Sequence, residues 1–351
     1  MTAAHNKGWR GNFFEDFSVG QKLACATPRT LTSGDVALYI ALTGDRTPAY
    51  CGPSGLVHPL VTFHAVFGQT VRAISLNARA NLGYADVRWG APVRVGDTLS
   101  TSLEGIGLRE NASKETGIVY VRTAGTNQRG EIVLSFSRWV MVRKRGTDAT
   151  SYLDAPVVPT LPPKVEPDSL ASFAAAIAAA GALPEPVATG GCYRFGDYAV
   201  GERIVHFDPM SVNPSDHMSL TRLFQNSAKV HFDAHGMSGK PLVYGGVVIS
   251  HGYAASFNGI ENRLGIAAVN AGTHAAPTYA GDTLYTFTNV VDSAELTPDV
   301  GALRLRMLVV KNHDVGADPI EPDVDDPQRP GKTKLHAAIV LDLDYWELVL
   351  R

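Results

Sequence analysis

Hydrophobic and polar positions along the chain run through one order twice. "LTSGDVALYIALTGD" (31–45) opens on Thr32, whose hydroxyl can cap a helix, with Asp35 three residues in to complement the helix dipole. "NPSDHMSLTRLFQN" (213–226) opens the same way, with Asn213 as cap, Pro214 at the first helical position and Asp216 in the place of Asp35. Both aspartates therefore read as capping residues rather than catalysts. After each short helix and a loop comes a more apolar, glycine-containing helix, at "PLVTFHAVFGQTV" (59–71) and "GGVVISHGYAASF" (245–257). Strands follow in each half. "YVRTAGTNQRGEIVLSFSRWVMVRK" reads as a hairpin with β-rich runs either side of "NQRG", and "LRLRMLVVKN" and "KLHAAIVLDLDYWELVL" take those parts in the second half.

The duplication is also literal. "FEDFSVG" at 14–20 returns as "FGDYAVG" 181 residues later, and "APVRVGDTL" at 91–99 returns as "APTYAGDTL" 185 residues later. The expected division is a first unit at 1–145, an Ala/Pro/Thr-rich linker at 146–190 and a second unit at 191–351. Within the linker, "SLASFAAAIAAAGA" has the composition of a helix. The acidic, proline-rich segment 313–333 lacks the glycine and closing glutamate of an EF-hand loop and reads as a solvated surface excursion. The fold class expected is α+β, each unit an antiparallel sheet wrapped around one apolar helix, and the two units paired as an internal pseudo-dimer.

Composition removes several classes of function. The chain has 351 residues, long for one compact domain, with 45% hydrophobic and 19% charged residues, an ordinary globular balance. A formal charge of −3 provides no basic field for nucleic acid. No run approaches the roughly 20 apolar residues that span a bilayer, and the N-terminal stretch lacks a secretory apolar core. Cys25, Cys51 and Cys192 are odd in number and lack metal-ligand spacing, which suits a reducing cytoplasm.

"GNFFEDF", "ATPRTLTSGDVALY", "SLNARANLGYADVRW" and "RWVMVRKR" resemble the mesaconyl-CoA hydratases, also called β-methylmalyl-CoA dehydratases, of the MaoC-like superfamily. The resemblance covers nearly the whole chain. It implies a double hotdog fold and reversible hydration of an α,β-unsaturated acyl-CoA, mesaconyl-C1-CoA to β-methylmalyl-CoA. It also implies no cofactor, coenzyme A being part of the substrate.

The general hydratase motif of that superfamily is Gly-Asp-x-Asn-Pro-x-His. The first half supplies Gly44, Asp45 and Pro48, but Tyr50 stands where the histidine belongs. At the 181-residue offset Asp45 aligns with Asn226 and Tyr50 with His231, so the second half keeps the histidine and loses the acid. Asp45 and His231 occupy equivalent places in their own halves, and symmetry should keep them apart. The reading is one active site in the second half, with the first half degenerate or used to hold coenzyme A. His231 suits the proton work because an imidazole titrates near neutral pH, and Asn226 can position the water or the imidazole. Gly245 and Gly246, then His251 and Gly252, are the candidates for holding the enolate-like oxygen at a helix start. Lys229 is the candidate for an acidic group of the substrate. Asp233 could stand in for the missing acid, as could the substrate's own free carboxylate.

Plainer readings compete. A histidine near a helix end is usually solvated or capping, and "HFDAH" has too little context for a metal site, so none is expected. His58 and His64 read as packed or hydrogen-bonded, and the basic end at 142–145 as a solvated strand end that could touch coenzyme A phosphates. The alternatives to the hydratase are an (R)-specific enoyl-CoA hydratase for plain acyl chains, a thioesterase using Glu261, and a non-catalytic acyl-CoA-binding protein. Expected partners are the acyl-CoA thioester and a second copy of the chain in a homodimer.

Overall fold

The computed structural model describes residues 7–25, 27–146, 151–180, 183 and 189–351. The first half runs β1 (Lys22–Ala24), β2 (Arg29–Thr30), α1 (Ser33–Thr43), α2 (Pro48–Cys51), α3 (Pro59–Ile74), β3 (Ala78–Trp89), β4 (Thr98–Glu110), β5 (Thr116–Thr126) and β6 (Ile132–Arg143). A connector helix α4 (Ala171–Ala179) follows. The second half repeats the order with β7 (Arg203–Ser211), α5 (Pro214–Leu223), α6 (Gly245–Ala255), β8 (Arg263–His274), β9 (Thr283–Glu295) and β10 (Val300–Lys311). Two short strands, β11 (Asp323–Asp325) and β12 (Thr333–Leu335), precede β13 (Ile339–Leu350).

Local chemistry sets the boundaries read from sequence. Thr32 Oγ1 accepts the Asp35 N–H while Asp35 accepts the Thr32 N–H, a complete capping box, and Gly44 ends α1 in the left-handed region at φ 72°. Asn213 accepts the Ser215 N–H to start α5. The basic strand end is solvated only in part: Arg143 and Arg145 are exposed, Arg145 bonding Asp16, but Lys144 is buried and pairs with Glu110 at 2.7 Å. Nor is the acidic excursion wholly solvated, because Arg306 takes Asp323 at 2.7 Å and ties β11 to the sheet.

One eleven-stranded antiparallel sheet results, with the order β1-β4-β5-β6-β3-β8-β13-β10-β9-β7 and β2 paired to β4. Its middle seam is β3 against β8, with Tyr84 opposite Gly272 and Val87 opposite Val269. Inside lie α3, buried at every residue but Arg72, and α6, buried at every residue but Gly245. His64 of α3 bonds Ser250 of α6 at 2.9 Å, and a single apolar cluster runs through both helices. Gly68 lets α3 pass the chain that leaves α5: a Cβ there would sit 1.7 Å from the Phe224 carbonyl oxygen. That close approach seats the Asn226 loop on α3.

A polar group is buried among these apolar residues. Arg263 of β8 pairs with Asp45 at 2.8 Å, both side chains 1% exposed. Its remaining donors go to Thr47 Oγ1, the Tyr253 carbonyl and Ser256 Oγ, and the guanidinium lies 3.9 Å from the Tyr253 ring centre. Burial works to raise the Asp45 pKa, but Arg263 and then His58 outweigh it and hold the carboxyl below its ordinary value. Glu347 accepts from Tyr253 Oη and the Gly265 N–H, and burial pushes it up to about 8, so it is protonated at neutral pH.

Replacing Arg263 by Met strands Asp45 in the interior and should cost about 3–5 kcal/mol in urea unfolding. Adding Asp45→Asn should recover most of that loss, because the uncompensated charge is then gone. Burial also lowers His64 to about 3 and His206 and His251 to about 4. The unfolded chain takes up those protons near pH 6.5, so their stabilising effect is complete above that pH and is lost as pH falls toward 4. The urea midpoint should accordingly be lower at pH 5 than at pH 7.

Candidate active site

A cavity of about 370 Å³ opens where the two halves meet. Phe67 and Val71 of α3, its C-cap Ser75, and Arg79 to Leu82 and Tyr84 of β3 form its first-half wall. Asn226, His231, Tyr244, Gly245 and His274 form the second-half wall.

His231 sits in a short 3-10 turn, Lys229–His231, and is buried. Its Nδ1 bonds the Leu242 carbonyl at 2.8 Å and must be the protonated nitrogen to do so, which leaves Nε2 with a lone pair. Burial lowers its pKa to about 4, so the imidazole is neutral at pH 7. The Asn226 carbonyl accepts the Ala228 N–H, leaving the amide NH2 as what this side chain can offer in the cavity. Tyr244, its ring 5.6 Å from that of His231, is held by His64 Nδ1 at 3.3 Å. Across the seam Tyr84 Oη bonds His274 Nε2.

Helix α6 begins at the cavity with Gly245, and its N-cap residue Tyr244 makes no side-chain capping bond. The first N–H groups and the positive end of the helix dipole are therefore open to an oxyanion. Glycine is needed at both starting positions. A Cβ on Gly245 would fall 2.4 Å from the His274 ring, and one on Gly246 would meet Tyr244 and His64.

The other sequence candidates fall elsewhere. Lys229 and Asp233 are exposed and outside the cavity lining; Asp233 accepts the Gly236 N–H, so it does not replace the missing acid in this arrangement. A tight turn sends side chains two residues apart to different sides. His251 is buried against α1 and α5, near Thr43 and Asp216, while Gly252 faces Val309 and Met307 of the sheet. Both are two turns along α6, too far from its start to hold an oxyanion there. Glu261 accepts the Gly259 N–H away from the cavity. Among the described residues no three His, Cys, Asp or Glu side chains cluster to hold a metal ion. Sequence reasoning missed Tyr84 and His274, partners 190 residues apart. It also missed Tyr244, which stands immediately before "GGVV" and could have been suspected for that reason.

The equivalent place in the first half is closed at each point. Tyr50, in the His231 position, donates to the Leu264 carbonyl at 2.7 Å. His58 Nδ1 caps α3 by accepting the Leu60 N–H, and Pro59 at the first helical position has no N–H to offer. Arg263 stands where the repeat places Ala78 on the cavity wall, and it consumes Asp45. Phe173 and Ile177 of α4 then cover Tyr50, Leu56 and Trp89, leaving a gap of about 10 Å³.

The family model described as mesaconyl-CoA hydratase matches residues 3–317. The chain is 47% identical to the mesaconyl-CoA hydratase of Cereibacter sphaeroides, over 97% of this chain and 98% of that protein. It is 44% identical to the β-methylmalyl-CoA dehydratase of Chloroflexus aurantiacus, over 97% of both. Among solved structures, a MaoC domain protein dehydratase from Chloroflexus aurantiacus superposes with a TM-score of 0.85 at 41% identity, covering 99% of each chain. A double hotdog protein from Mycobacterium tuberculosis gives 0.73 at 25% identity, covering 97% of this chain and 99% of that one. With its repeated halves, shared sheet and a cavity at the seam between them, the chain belongs to the mesaconyl-CoA hydratase family, within the double hotdog MaoC-like dehydratases.

Proposed function

We propose that His231 is the base and proton carrier for reversible hydration of mesaconyl-C1-CoA to β-methylmalyl-CoA, and that the cavity around it is the protein's one active site. The chain is a hydro-lyase of CoA esters, as its relatives are named. The observation that carries the site is an asymmetry: a neutral imidazole with a free Nε2 and an uncapped helix start share one cavity, while both counterparts are blocked in the first half.

The thioester oxygen sits at the α6 N-terminus, against the Gly245 and Gly246 N–H groups. Asn226 holds water through its amide. As the water oxygen bonds to Cβ, His231 Nε2 takes one proton and electron density moves onto the thioester oxygen as an enolate. The imidazolium then returns that proton to Cα and the thioester carbonyl re-forms. One water is added, and the reverse sequence removes it. His231 therefore acts without an aspartate, its ring fixed instead by the Leu242 carbonyl. No cofactor enters these steps, coenzyme A arriving as part of the substrate.

The chain is proposed to act in the cytoplasm, supported by three free cysteines, and as a homodimer. No helix among the described residues is long and apolar enough to cross a membrane.

With mesaconyl-C1-CoA, wild type should remove the enoyl-thioester absorbance without releasing free thiol, and His231→Ala should lower kcat about 10²–10⁴-fold. Thiol release would instead mean a thioesterase. Protonating His231 removes the base, so kcat/KM should stay level from pH 8 to about 5 and fall only as pH approaches about 4. An acid limb near 6.5 would count against a buried, neutral His231.

A further inference from the structure

Arg138 is a buried charge that the chain leaves unanswered. It lies on β6 opposite Tyr84 of β3 and is 0% exposed. Its Nη2 donates to Thr70 Oγ1 at 2.7 Å and to Ser75 Oγ at 3.4 Å, and its guanidinium lies 4.3 Å from the centre of the Phe67 ring. Nε and Nη1 have no partner among the described residues. Beyond burial, the groups that act on its charge are the Tyr244 and Tyr84 hydroxyls and the Cys25 thiol, none of them a carboxylate. Arg263, also fully buried, differs in having Asp45 and three further acceptors.

A desolvated guanidinium without a counter-ion is unfavourable unless an anion is delivered to it. Arg138 does not itself line the cavity but stands directly behind its wall: Phe67 and Ser75, which it touches, both line the cavity, as do Tyr84 and Tyr244 beside it, so a shift of the Ser75 side chain would bring the guanidinium to the cavity. In mesaconyl-C1-CoA the free carboxylate hangs on Cβ, the carbon that water attacks, so a group fixing that carboxylate also fixes the reacting carbon. Arg79 also lines the cavity, but its side chain is 52% exposed and faces Glu115 at 3.7 Å, a place suited to the wet mouth of the cavity.

We propose that Arg138 is the specificity residue that receives the free carboxylate of a dicarboxylic acyl-CoA, the anion lying over Ser75 and taking the unpaired Nε and Nη1 donors. This rests on the reading that an unsaturated CoA ester occupies the cavity. A planar fork of two donors matches a carboxylate's two oxygens, which a lysine cannot reproduce. The carboxylate is thereby an anchor held by the protein rather than a substitute for the missing acid.

The test compares mesaconyl-C1-CoA with tiglyl-CoA, in which a methyl group replaces the free carboxylate, in wild type, Arg138→Gln, Arg138→Lys and Arg79→Gln. Wild type should strongly prefer mesaconyl-C1-CoA. R138Q should lower kcat/KM for that ester about 10–100-fold while leaving the slower tiglyl-CoA turnover within about twofold, and R138K should recover part of the preference. Equal losses on both esters in R138Q and R138K would make Arg138 a purely structural residue. An unchanged preference in R138Q, or a preference lost in R79Q instead, would also overturn the proposal. If R138Q does not fold, wild-type inhibition decides: methylsuccinyl-CoA should bind at least about tenfold tighter than 2-methylbutyryl-CoA, and equal inhibition would overturn it. Wild type inert on both esters would overturn the hydratase reading itself, an outcome distinct from activity with no role for Arg138.

Discussion

The antiparallel pairing of β3 with β8 is the constraint from which the rest of this molecule follows. It joins two half-sheets into one and leaves no open edge at the centre of the molecule. Because each half wraps its own helix, closing the seam forces α3 and α6 side by side, where His64 reaches Ser250 and Tyr244. The cavity is a product of that closure. Its walls come from α3 and β3 on one side and from the α6 approach and β8 on the other, so neither half contains it alone.

Closing the seam makes two equivalent junctions, and the chain treats them oppositely. At one, small residues such as Ala78 and Gly245 leave room, and the helix start is uncapped. At the other, Arg263 enters the space, ties Asp45 in a dry ion pair across the halves, and is stacked on Tyr253. An ion pair so enclosed is poor evidence of stabilisation relative to an apolar pair, but it is demanding: each partner is costly to remove alone. The acid that a hydratase would use has been retained as a structural tie. The imidazole, in the other half, is the proposed chemical group.

Burial explains the state of the site's histidines. Burial holds His231 and His274 at about 4, neutral over the working range, and a neutral imidazole that hydrogen-bonds through Nδ1 presents a base at Nε2. Such a base is weaker than one backed by aspartate, and compensation must come from holding the substrate well. The uncapped α6 start and the unpaired Nε and Nη1 of Arg138 are two groups whose unmet hydrogen bonds suit a thioester oxygen and a carboxylate at separate ends of one small acid.

The order of elements was legible in the letters because it is local. Thr32 with Asp35, and Asn213 with Pro214, are capping chemistry within one turn, and the repeat at 14–20 and 195–201 required only comparison along the chain. The spacing from Asn226 to His231 picked out two residues that line one cavity, and "GGVV" the helix start beside them. Lys229 and Asp233 were misplaced because nearness in sequence says nothing of which way a 3-10 turn directs a side chain. The Tyr84–His274 contact, the capture of Asp45 by Arg263 and the plug of Phe173 and Ile177 join residues far apart in the chain. The sequence by itself determined two like units, their caps and one candidate imidazole, since these depend on patterns read along the chain. Only the tertiary structure decided which of two equivalent junctions stays open, because that depends on the volume and charge of side chains brought together by the seam.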